Sequence, residues 1–160
     1  MFNPIEIDRI NLTKMNIPEQ IKNYIASQPD TKRSDIEALH NRILKAFPES
    51  KLWFLDGKDN TGKVVSNPNI GYGCLTIKYA NLKTKEFYQV GISGNSAGIS
   101  VYIMGIEDKK YLYETYGKTI GKATITGYCI KFKSLKDINI DILENAILDG
   151  VKQTALHTTN

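Results

Sequence analysis

Between residues 69 and 133, apolar side chains recur at every second position, in runs separated only by short turns. A period of two marks strands with one buried face. Connections this short cannot hold a crossover helix, so neighbouring strands must run antiparallel. In residues 73–80, Leu75, Ile77 and Tyr79 alternate with Cys74, Thr76 and Lys78. Tyr88, Val90 and Ile92 form the next inward set, and Ile99, Val101 and Ile103 the third. These three runs predict a meander. Residues 118–126 read as a turn, leading to a strand where Tyr128, Ile130 and Phe132 alternate with Cys129, Lys131 and Lys133. Leu52, Trp53, Phe54 and Leu55 add a short apolar strand, and residues 56–69 read as an exposed loop or loose hairpin.

Helical spacing appears on either side of this region. Asn16 can cap a helix carrying Pro18 and Glu19 in its first turn, with Ile21, Tyr24, Ile25 and Gln28 on one stripe. Pro29 and Asp30 break it. A second helix begins near Thr31 or Ser34 and runs to Phe47, with Ile36, Leu39, His40, Ile43, Leu44 and Phe47 on its apolar face. Residues 108–116 suit a short helix stopped by Gly117. Asn139 caps a final helix whose stripe is Leu143, Ala146, Ile147, Gly150 and Val151, stapled by Ile138. The expected fold is α+β: an antiparallel sheet of about five strands, with helices from both chain ends on one face. One domain covers residues 1–160, with 1–16 as a leader and 153–160 as a frayed tail.

Charge is uneven. Residues 109–136 hold seven lysines and a single acid, Glu114. Such a segment points to an anionic partner or to a solvated lysine face. Cys74 and Cys129 each sit in an apolar run without metal-ligand spacing, so they read as buried, reduced thiols. The early acids at the N-terminus do not fit a signal peptide, and no apolar run reaches membrane-spanning length. A cytoplasmic location follows as an expectation.

Motifs that resemble catalytic signatures fail on context. Gly94-Asn95-Ser96-Ala97-Gly98 has the letters of a nucleophile elbow, but a strand rather than a helix follows it. The later Asp149 and His157 have triad order, yet His157 falls in the expected tail. His40 on an apolar stripe reads as a hydrogen-bonded boundary residue. The 57–63 segment G-K-D-N-T-G-K lacks the order of a phosphate loop. Gly117-Lys118-Thr119-Ile120-Gly121-Lys122 is a better anion candidate, because turn amides and two ammonium groups could hold a carboxylate or phosphate. Acids form no metal cluster, and neither a metal nor a cofactor is expected. Nucleic acid is not expected either: sheet RNA-binding motifs are absent, and the three arginines (Arg9, Arg33, Arg42) lie outside the basic segment.

The ordered run of I-G-Y-G at 70–73, Tyr79, V-G-I-S at 90–93, V-Y-I-M at 101–104, Gly117-Lys118, Gly121-Lys122 and Y-C-I-K at 128–131 resembles the YdhG-like family. This is a widespread bacterial domain of unknown function. The upstream helix with Ile36, Glu37, Leu39 and Ile43, then Phe47-Pro48 and Trp53, is similar too. The resemblance spans about 18–151 and implies a frataxin-like fold, some members being described as iron chaperones. Frataxin-type iron binding uses an acidic helix and sheet edge, and the first two helices here carry few acids.

The expected function is that of a non-enzymatic binding protein for a small anionic or aromatic ligand or a protein segment. Its candidate site gathers Trp53, Tyr72, Tyr102, Lys118, Gly121 and Lys122. A frataxin-like iron chaperone is the alternative. An unrecognised enzyme, with Tyr or Lys as acid/base group, is a second one. No catalytic residue is assigned.

Overall fold

The computed structural model describes the backbone of residues 15–157 and the side chains of residues 15–154; the leader therefore lies almost wholly outside the described residues. Among the described residues two helices come first, α1 (Ile17–Ser27) and α2 (Asp30–Ala46). Asn16 caps α1 by accepting the Glu19 amide at 3.0 Å. Six strands follow: β1 (Leu52–Leu55), β2 (Asn69–Tyr72), β3 (Leu75–Lys78), β4 (Thr84–Phe87), β5 (Val90–Asn95) and β6 (Gly98–Ile103). Then come α3 (Tyr111–Tyr116), β7 (Ala123–Thr126), β8 (Cys129–Phe132), a 3-10 turn (Leu135–Asp137) and α4 (Ile140–His157). Asn139 caps α4 through the amides of Asp141 and Ile142.

The fold is α+β. Six strands make one antiparallel sheet in the order β1-β2-β5-β6-β8-β7, and β3 pairs only with β4. This corrects the expected meander in three ways. The partner of β5 is β2, not the 73–80 run. Gly73, at φ 77°, ends β2 and turns the chain out of the sheet before Leu75. The chain bends again at Gln89, so the β3–β4 hairpin stands apart. Finally, Ala123–Thr126 is an edge strand on β8 rather than a turn.

The register defines two faces. Leu52, Phe54, Ile70, Tyr72, Val90, Ile92, Ile99, Val101, Ile103, Ile130 and Phe132 share one. Most are buried, and with Ile21, Ile36, Leu39, Ile43, Leu112, Leu143 and Ile147 they form one hydrophobic cluster. Tyr24 of α1 meets Phe54 with ring centroids 5.6 Å apart. Ile36 of α2 lies against Gly94, and Gly150 of α4 lies against Ile103. Polar struts fix the helices. The Tyr24 hydroxyl accepts the Gly94 amide at 2.8 Å. Arg42 of α2 bridges Asp141 and Glu144 of α4. Asp149 of α4 accepts the hydroxyls of Tyr111 and Tyr116 at 2.5 and 2.6 Å.

Two further expectations change. The helix does not fray at Gln153: Thr154 is buried, bonds back to Gly150 and Val151, and meets the Gln89 amide. Cys74 is exposed rather than buried, since the turn after Gly73 carries it outward; Cys129 is buried, and both thiols are free.

Candidate functional site

Side chains on the second face fall into ranks set by strand register. Trp53, Gly71, Gly91, Tyr102 and Cys129 pair in succession across β1, β2, β5, β6 and β8. Two residues along, Ser93, Ser100, Lys131 and Thr124 pair across β5, β6, β8 and β7. Beyond them lies the end of the sheet, where Asn95, Lys122 and Lys133 join Lys131 and Thr124 around an open concavity.

The first rank is aromatic because its middle positions are empty. Tyr88 lies flat over Gly71 and Gly91; a Cβ at either glycine would sit 2.7 or 2.5 Å from its ring. Phe87 stacks beside Tyr88 with centroids 4.1 Å apart and meets Trp53 at 6.2 Å. Tyr102 meets Tyr128 at 6.1 Å. The rings of Trp53, Phe87, Tyr88, Tyr102 and Tyr128 thus run from the β1 edge to the β7–β8 turn. Burial raises the Tyr88 hydroxyl above the ordinary tyrosine range, and the nearby Tyr102, Tyr128 and Cys129 add to the shift. Lys51 caps the other end, 4.2 Å above the Trp53 ring.

The second rank is small and polar. The Ser93 hydroxyl donates to the Pro68 carbonyl at 2.7 Å, and that of Ser100 accepts from the Asn95 amide at 2.9 Å. Both serines are buried and their hydroxyls are satisfied.

The basic end depends on a close approach. Gly98, at φ 144°, packs against the β8 terminus, where a Cβ would meet the Phe132 carbonyl at 2.3 Å. This draws the β5–β6 turn alongside Lys133. Asn95 and Gly98 pair across two intervening residues, so the Gly94–Gly98 segment is a hairpin turn and not a nucleophile elbow. Lys32 of α2 reaches the same corner and donates to the Asn95 carbonyl at 2.5 Å. Among the described residues, no carboxylate lines the concavity.

The six residues singled out in the sequence do not meet at one point. Trp53 and Tyr102 share the aromatic rank. Tyr72 belongs to the opposite face: it is buried, and its hydroxyl is 2.6 Å from Nδ1 of His40. Strand alternation separates it from both Trp53 and Tyr102. Lys122 lines the concavity, whereas Lys118 is exposed in the turn after α3 and is not among the lining residues. Gly121 is structural. It bridges to Ile138, and its Cβ would strike the Asp137 carbonyl at 2.7 Å. The amides of Thr119, Ile120 and Lys122 are already bonded to the carbonyls of Tyr116 and Asp137, which leaves that turn no open cradle of these donors.

Sequence reading missed Lys131, Lys133, Tyr128 and the Phe87–Tyr88 pair as parts of one surface. A signal did exist: Gly71 and Gly91 are strand glycines, which mark places where another group approaches the backbone. His40 is the hydrogen-bonded boundary residue expected, and burial lowers its pKa despite the opposing influence of Glu37. Among the described residues, no three His, Cys, Asp or Glu side chains gather as a metal site, and no helix is long and apolar enough to cross a membrane. No family model, curated protein or solved structure matches the chain.

Proposed function

We infer that the protein is a non-enzymatic binding domain for an anionic ligand, held at the concavity formed by Lys122, Lys131 and Lys133. The observation that carries this reading is that three lysines, with Asn95 and Thr124, line one concavity that has no carboxylate among the described residues of its lining. Lysine supplies point charge and rotatable donors, which suit phosphate or carboxylate groups of varied geometry. A cytoplasmic setting accords with two free thiols, one of them exposed, because thiols persist in reducing compartments. The iron-chaperone alternative has no corresponding cluster of carboxylates among the described residues.

Thermal unfolding in inorganic pyrophosphate tests the reading, since a ligand that binds only the folded state raises its stability by mass action. Wild-type protein should gain several degrees at saturating pyrophosphate. Lys122→Ala/Lys131→Ala/Lys133→Ala should lose that gain, and Lys118→Ala should keep it. A gain that survives the triple change would remove the concavity from the argument.

A further inference from the structure

We propose that this sheet face binds single-stranded nucleic acid, with bases on the exposed and half-buried rings of the aromatic rank and phosphates at the lysine end. This rests on the anion-binding reading and names the class of its ligand. Base stacking requires accessible ring faces and tolerates sequence, because every base offers a π-face. Tyr128 is 52% exposed, and Trp53, Phe87 and Tyr102 are half-buried on the same side of the sheet. Buried Tyr88 divides the rank, so the accessible rings form two places for a base, Trp53 with Phe87 and Tyr102 with Tyr128. Lys131 lies one rank from Tyr102 and Lys133 two, or roughly 7 and 13 Å along the strand direction. The intervening Ser93 and Ser100 raise no long side chain between them. A strand whose base stacks on Tyr102 therefore brings its phosphates within reach of both lysines.

Physical grounds favour a strand over its competitors. The concavity at the lysine end is open, and a small ligand draws its affinity from enclosure. A polymer instead accumulates contacts along a surface. A duplex keeps its bases stacked inside and has none to offer the rings. Lysines positioned on phosphates add affinity without reading base edges, so binding should be sequence-tolerant. The arrangement reverses the expectation drawn from missing RNA-binding motifs. Its aromatics come from β1, the end of β4, the residue after it, β6 and the turn before β8, which no contiguous motif would reveal.

Fluorescence anisotropy with a labelled oligouridylate of about twelve nucleotides decides the matter. Wild-type protein should bind it at low salt. Tyr128→Ala, a change in an exposed turn, should weaken binding about tenfold and leave the salt dependence intact. Lys131→Ala/Lys133→Ala should lower the slope of log affinity against log salt by about 1.4. Four results would each overturn the proposal: wild-type affinity in Tyr128→Ala, equal competition by a duplex of the same length, equal displacement by uridine monophosphate per nucleotide, or no binding of the oligonucleotide. In each case the pyrophosphate shift reads the concavity separately, so the anion-binding conclusion can stand when this one falls.

Discussion

Gly71 and Gly91 leave two adjacent positions of the sheet without side chains, and the Tyr88 ring fills that space. Replacing Gly91 with Ala would place a methyl group within the ring's contact distance. Overpacking of this kind costs about 1–3 kcal/mol, so Gly91→Ala should lower the urea midpoint without changing the slope of the transition. His40 sets a second expectation at this scale. Burial holds its folded-state pKa below the ordinary histidine value, so the unfolded chain binds the proton more readily. The stability this contributes is fully present above about pH 6.5 and is lost as pH falls toward the lowered folded-state value. Denaturant unfolding of the wild type should show that decline as the pH falls below about 6.5. His40→Asn should flatten it, and identical profiles would assign the titration elsewhere.

The short helix α3 depends on the elements around it. Its six residues are too few for a stable isolated helix. Tyr111 and Tyr116 fasten it to Asp149 of α4. Burial works against ionisation of that carboxyl, but the two hydroxyls, Gln153 and Lys152 hold it below the usual aspartate range. Asp149→Ala should therefore raise amide exchange within residues 111–117 while β5 and β6 stay protected. Uniform acceleration would mean that α3 opens only with the whole molecule. At the start of α4, Asn139→Ala removes an acceptor for two amides and should cost about 1 kcal/mol. Both caps were legible because capping is local: side chain and amide lie within three residues. The breaks at Gly73 and Gln89 were not, since an alternating pattern continues through 73–80 whether or not that run joins the main sheet.

For the whole molecule, the net charge of +4 is modest, and its placement matters more than its size. Lys131→Glu/Lys133→Glu and Lys118→Glu/Lys136→Glu change net charge equally. If the concavity is the anion site, only the first pair should sharply reduce the salt needed to elute the protein from heparin. Equal loss in both would trace retention to total charge. The α+β class, the caps, the apolar stripes and the basic character of residues 109–136 were determined by the sequence itself, because each depends on neighbours within a turn or two of chain. Tertiary structure alone decided which face each aromatic occupies and which lysines meet. Tyr72 and Tyr102 look alike in their strands, yet pairing through Val90 and Gly91 sends one to His40 and the other to Tyr128. Lys122 joins Lys131 and Lys133 because β7 pairs with β8 and Gly98 admits the neighbouring turn, contacts whose energy no local window contains.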